Sequence, residues 1–141
     1  MHATMLPPLP PNVLLFPSEY PTNSVFVFGS NLAGRHGAGA ARFATQYWGA
    51  EYGRPAGLQG RSYAIPTKDT RLQTLPLASI RGHALDFIDY AASRPDLQFL
   101  MTPVGCGLAG YSAAQIAPLF GRPAFLTNVR WPKEFVDVWQ R

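Results

Sequence analysis

Short continuous apolar runs alternate along the chain with longer stretches whose apolar residues recur every three or four positions. VFVF, residues 25–28, is a run of β-branched and aromatic residues of the kind found in a strand buried on both faces. From there on, Ala40, Phe43, Ala44, Tyr47 and Trp48 fall at helical spacing, and Gly49 or Gly53 can stop the helix. SYAIPT, residues 62–67, predicts a second strand. Pro76 suits a first helical turn, and Leu77, Ile80, Ala84, Ile88 and Ala91 make one apolar stripe that leaves Arg81, Asp86 and Asp89 outside it. QFLMTPVG, residues 98–105, predicts a third buried strand, after which Ser112 and Gln115 have the spacing of a capping box opening a helix through about Leu119. RPAFLTNV, residues 122–129, supplies a fourth strand, and residues 132–140 a last helix.

This order sets the fold class. Strands separated by helices require right-handed crossovers, so the chain is expected to be α/β, a mainly parallel sheet flanked by helices in three α/β/α layers. Residues 1–23 are proline-rich and read as an extended arm, with LLF at residues 14–16 packing on the body as a strand. Residues 24–141 then form a single domain, long enough to bury one core, with Trp48, Phe87 and Phe125 expected in it.

Charge adds a direction to this picture. The net charge is +4, and the bases are ten arginines against two lysines, Lys68 and Lys133. Arginine favours bidentate recognition of phosphate and carboxylate. Between Tyr20 and Lys68 the only acid is Glu51, against Arg35, Arg42, Arg54, Arg61 and Lys68, so this half carries a field that attracts anions or else a solvated basic surface. No Lys/Arg-rich run argues for nucleic acid. A single cysteine, Cys106, excludes an internal disulfide, and no apolar run approaches the roughly 18 residues of a membrane span. A cytoplasmic location is the expectation. His2, His36 and His83 are scattered and give no zinc pattern, His83 lying on a helix.

Two of the expected strands run into glycine-rich turns: GSNLAGRHGAG from Gly29, and GCGLAGY from Gly105. In an open parallel sheet, ligands bind beyond the carboxyl ends of the strands, and each turn here precedes a helix whose N-terminus favours an anion. The pair reads as two sides of a phosphate cradle. Neither a P-loop nor a G-x-G-x-x-G dinucleotide fingerprint fits the spacing.

The strings RHGAGAARFATQYWGA, GRSYAIPTKD and TPVGCGLAGYSAAQIAPLF, in that order between about Val25 and Phe120, resemble the macrodomains. The branch typified by the terminal ADP-ribose protein glycohydrolase is the most similar. The resemblance implies a macrodomain-like domain binding ADP-ribose, or an ADP-ribosylated protein or nucleotide, with nucleic acid entering only as an ADP-ribosylated substrate and without a cofactor. Gly37, Ala38 and Gly39 would hold the diphosphate and distal ribose from one side, next to Ser30 and Asn31. Gly105, Cys106, Gly107, Leu108, Ala109, Gly110 and Tyr111 would wrap the phosphates from the other.

The resemblance also implies a nucleophile. In that branch the lysine at the position of Lys68 attacks the anomeric carbon of the distal ribose and displaces a carboxylate ester, while an aspartate in the second loop helps release the product. An amine attacks only when neutral, which calls for desolvation or nearby positive charge, and Arg35 or Arg61 could supply it. Ala109 stands where the branch has its aspartate. Asp69 is the nearest substitute, although neighbours along an extended chain point in opposite directions.

Of the remaining groups, His36 is a candidate anion contact in the first loop. Cys106, between two glycines, reads as a small buried residue, with no histidine spacing to make it a thiol hydrolase. Tyr111 is the candidate to stack on adenine or to cover the distal ribose. Three readings compete: a hydrolase removing ADP-ribose from acidic side chains, a non-catalytic binder of ADP-ribose or another NAD-derived nucleotide, and a Rossmann-like protein whose FGSN turn meets a nucleoside monophosphate.

Overall fold

A computed structural model describes residues 5–121 and 126–141. Five strands form one sheet: β1 (Ser24–Asn31), β2 (Gly57–Gln59), β3 (Ser62–Lys68), β4 (Gln98–Met101) and β5 (Val129–Arg130), in the order β2-β3-β1-β4-β5. Every neighbouring pair is parallel except β2 with β3. The helices are α1 (Gly39–Tyr47), α2 (Leu77–Ser93), α3 (Ala113–Ile116), which continues as a 3-10 turn over Ala117–Phe120, and α4 (Lys133–Trp139).

The continuous apolar run of β1 is explained by cover on both faces. Val25 and Val27 join Ile65, Phe99 and Met101 in a core against Ile80, Ala84 and Phe87 of α2, with Ile116, Trp131 and Phe135 completing that side. Phe26 and Phe28, pointing the other way, meet Ala41 and Ala44 of α1 together with Trp48. The sheet is thus a layer between helices.

The arm closes this second face, by a different route from the strand expected at residues 14–16. Leu9, not the LLF segment, pairs with the body: its N–H donates to the Trp131 carbonyl and its carbonyl accepts from Lys133 N, both at 2.8 Å. Leu15 is buried and its carbonyl accepts from the Trp48 indole Nε1 at 2.7 Å, while Leu14 is exposed. Adjacent residues of an irregular arm are held separately, so no ladder forms.

Other boundaries shift for local reasons. β4 stops at Met101, short of the residue 98–105 expectation, because the Thr102 N–H and hydroxyl both donate to the Val27 carbonyl and Pro103 has no N–H to continue the ladder. α1 ends where the Gly49 backbone turns to φ 75°. Pro76 stands at the N-cap position, one residue before the first turn of α2 rather than in it, and the Ser112–Gln115 capping box forms as expected. Residues 122–125, Phe125 among them, lie outside the described residues, and β5 begins only at the last residue of the strand expected over 122–129.

β2 is an antiparallel edge strand that the apolar pattern does not predict. Two residues, Gly60 and Arg61, turn it into β3. Gly60 is at φ 58°, and a Cβ there would stand 2.4 Å from the Gly49 carbonyl oxygen, so only glycine fits. Among the described residues, no helix is long and apolar enough to cross a membrane.

Candidate functional site

The carboxyl ends of β1 and β3 and the loop after β4 open on one cleft of about 920 Å³, within the range of small-molecule sites. From the first loop it is lined by Ser30, Asn31, Arg35, Gly37, Ala38 and Gly39, and from the second by Gly105 to Ala109 and Tyr111. Lys68 at the end of β3 lies between them. The loops touch across the top: a Cβ on Gly39 would sit 3.6 Å from Leu108 Cδ1.

Several lining residues are already committed to holding the loops. The Asn31 side chain donates to the Arg35 carbonyl at 2.8 Å and accepts from Arg35 N at 2.9 Å, which clamps the turn between them. Ser30 Oγ donates to the Pro55 carbonyl at 2.5 Å. Tyr111 anchors its hydroxyl on the Leu75 carbonyl at 2.7 Å, leaving its ring at the cleft wall. Ala109 accepts from Thr74 Oγ1 through its carbonyl at 2.9 Å.

The helix starts differ. α1 starts at Gly39 behind Ala38, without a side-chain cap and with no acid in its first turn, so the leading N–H groups of Gly39, Ala40 and Ala41, all three lining the cleft, are unpaired by side chains. α3 satisfies its own start, because Ser112 Oγ accepts from Gln115 N and Gln115 Oε1 accepts from Ser112 N. Only the first loop ends in a helix start open to an anion.

Three of the expected site residues do not line the cleft. His36 is buried: its Nε2 lies 3.1 Å from Gln59 Oε1, which also accepts from Glu51 N at 2.8 Å, so Nε2 carries the proton. The ring packs edge-on to Phe28, inside the protein rather than against a ligand. Asp69 folds back on its own turn, one carboxylate oxygen accepting from Arg71 N at 2.8 Å and Gln73 N at 2.9 Å. Gly110 closes the second loop on itself by donating to the Gly107 carbonyl.

The charged groups divide in the same way. Lys68 has no hydrogen-bond or ion-pair partner for its amine among the described residues. Arg35 shares its cleft, whereas Arg61 lies over the Trp48 ring at 4.9 Å and donates to the Pro21 carbonyl. Cys106 lines the cleft as an inert thiol, pushed up to about 11 by burial and by the Glu134 carboxylate. No group of three or more His, Cys, Asp or Glu side chains among the described residues is placed for a metal ion.

The cleft also takes in residues with no mark in the glycine motifs. Tyr52, Thr67, Leu72 and Glu134 line it, as does Asn12 of the arm. Thr67 sits one position before Lys68 at a strand end and was within reach of the motif; Tyr52, Asn12 and Glu134 arrive only through tertiary packing.

Fold and site together define an α/β protein with an anion-suited cleft at the carboxyl edge of a mostly parallel sheet. Compared with protein-family models, curated proteins and solved structures, the chain matches none of them.

Proposed function

We propose that the chain is a macrodomain-like ADP-ribose-binding protein that removes ADP-ribose from acidic side chains, with Lys68 as nucleophile. The observation that carries the reading is a pair of glycines, Gly37 and Gly107. Both line the cleft, one from each loop, and neither adopts positive φ. A Cβ at either would meet nothing within 4 Å. Neither backbone conformation nor packing asks for glycine there, so the space they leave is open to a ligand that lies against the main chain, as a diphosphate does. The free start of α1, with Arg35 and Lys68, supplies positive charge to the same space.

In the proposed reaction Lys68 Nζ, as the free amine, forms a bond to the anomeric carbon while that carbon's bond to the ester oxygen breaks. The electron pair leaves with the substrate carboxylate, and the proton on nitrogen passes to water. A water molecule then attacks the same carbon, the carbon–nitrogen bond breaks with its electron pair returning to Nζ, one proton of that water restores the free amine, and ADP-ribose leaves with the new hydroxyl. Binding without turnover is favoured by one observation: Asp69 is turned into its own loop and Ala109 carries no acid, so no carboxylate beside Lys68 is on hand to assist release.

Calorimetry with ADP-ribose and AMP, followed by hydrolysis of an ADP-ribosylated glutamyl peptide, tests both levels. Tighter binding of ADP-ribose than of AMP, with turnover that Lys68→Ala abolishes at little change in affinity, is expected. Equal affinities favour the mononucleotide reading, and binding without turnover in the native chain favours the binder.

A further inference from the structure

Positive φ suits glycine or asparagine, and among the described non-glycine residues only Asn12 and Leu72 stand there. Leu72, at φ 62°, has no polar side chain to offset that conformation, and it is 39% exposed and part of neither core cluster. Neither conformation nor burial accounts for a leucine here. Its turn is nevertheless closely built: Asp69 Oδ1 accepts from Arg71 N and Gln73 N, Leu72 N donates to the Asp69 carbonyl, and Asp69 N donates to the Gln73 carbonyl. A strained apolar residue is therefore held on the cleft wall, four positions beyond Lys68.

A second apolar side chain reaches the same end of the cleft from the outer edge of the sheet. β2 is antiparallel to β3, with Gly57 opposite Ala64, so the chain entering β2 comes from the carboxyl end of β3, where Lys68 lies. Tyr52 is on this entering loop and lines the cleft while 65% exposed. The loop is fixed to the first glycine turn: Gly53 N donates to the Gly34 carbonyl, Ser30 Oγ donates to the Pro55 carbonyl, and Gln59 is hydrogen-bonded to both His36 and Glu51 N. Lys68 lies between the two, its carbonyl accepting from Leu32 N and its strand bridged to Thr74 at the end of the Leu72 turn.

Charge at this end is one-sided. Arg35 lines the cleft and Arg71 adjoins Leu72, and neither forms an ion pair among the described residues. Of the acids close by, Glu51 is paired with Arg54 and Asp69 is hydrogen-bonded within its own turn. A partner approaching Lys68 from solvent meets two apolar side chains flanked by free positive charge.

We propose that Tyr52 and Leu72, with Arg35 and Arg71, form a docking rim for the acceptor polypeptide: an acidic segment with an apolar side chain next to the modified residue. The proposal rests on the reading of the cleft as an ADP-ribose site. In that reading Lys68 acts on the bond between ribose and acceptor, so the acceptor leaves the cleft at this end. Leu72 suits an apolar residue of a peptide and offers a nucleic acid neither a hydrogen bond nor a stacking face, and two free guanidinium groups match neighbouring carboxylates.

Calorimetry on the full chain compares ADP-ribose with three conjugates that resist turnover because an amide replaces the ester: an acidic peptide modified beside a leucine, the same peptide with glycine for that leucine, and a short oligonucleotide. The leucine peptide is expected to bind the native chain about tenfold tighter than ADP-ribose, and the glycine peptide about threefold tighter through charge alone. Leu72→Gly, which suits the left-handed backbone, and Tyr52→Ser each bring the leucine peptide down to the glycine one, and Arg71→Ala weakens both peptides. ADP-ribose itself changes less than about twofold in these variants. Equal native affinities for ADP-ribose and both peptides overturn the proposal, as do equal losses for ADP-ribose and the leucine peptide in the variants. An oligonucleotide conjugate that gains as much, and loses it in Leu72→Gly, overturns it as well. If the native chain binds ADP-ribose and only the peptide gains are missing, the rim falls and the reading of the cleft stands; if it binds neither ADP-ribose nor the conjugates, both fall.

Discussion

The two glycine-rich loops are alike in composition and face each other across one cleft, yet each holds two kinds of glycine. In the first loop Gly34 is at φ 69°, and a Cβ there would lie 2.5 Å from the Gly53 carbonyl carbon. In the second, Gly105 is at φ 77°, and a Cβ would lie 2.7 Å from Ile116 Cδ1. Those two are required by the protein. Gly37 and Gly107 are not, since their surroundings are empty and their φ is not positive. The loops differ at their exits as well: the first leads into an uncapped helix, the second into one that caps itself. A glycine motif read as a unit thus splits into residues that shape the loop and residues that leave room.

The sharpest way to break this division is to add one methyl at a time and follow stability and binding separately. Gly34→Ala meets rigid backbone in a left-handed conformation and is expected to cost about 3 kcal/mol or more. Gly105→Ala meets the movable end of an isoleucine, so its cost is set by the backbone, about 1–2 kcal/mol. At roughly 4 °C per kcal/mol for a chain of this size, thermal melts resolve the two. Equal melting temperatures for Gly34→Ala and the native chain would remove the distinction.

A smaller and complementary effect is expected at the open pair. Gly37→Ala and Gly107→Ala leave the melt within about 0.5 kcal/mol of native, because the added methyl touches nothing in the protein. Their ADP-ribose affinity, read by calorimetry, falls at least about tenfold if the ligand lies against the main chain there. Native affinity in both variants would mean that the space serves no ligand and would remove the main support for the proposed function.

The same division explains how much was legible beforehand. Apolar periodicity located β1, β3, α1 and α2, because a run buried on two faces and a helical stripe each leave a direct trace in sequence. β2 was missed since its pairing depends on the Gly60 turn and on Gly49 lying opposite, a close approach with no apolar pattern. In the site, residues carried by local motifs came together: Lys68, Gly37, Gly107 and Tyr111 share the cleft. His36 belongs to a glycine loop by sequence and to the interior by structure, because Gln59, 23 residues away, binds its ring. Asn12 and Glu134 meet the cleft only because the arm and α4 pair through Leu9 and Lys133, a contact between the two ends of the chain.

The smallest effect sharpens the comparison at the second loop, through Cys106. Its thiol is pushed up from the ordinary range near 9 to about 11, first by burial and second by the Glu134 carboxylate. The unfolded thiol loses its proton near pH 9 while the folded one keeps it, so this group leaves stability unchanged below pH 9 and lowers it as pH rises from about 9 towards 11. Alkylation by iodoacetamide reads the same shift without unfolding the chain, since only the thiolate reacts. At pH 8 the native chain is expected to react far more slowly than free cysteine, and Glu134→Gln to react faster than native while remaining below free cysteine, because burial persists when the charge is gone. Equal rates for native and Glu134→Gln would mean that the carboxylate does not reach the second loop, and that burial alone sets this thiol apart from a free one.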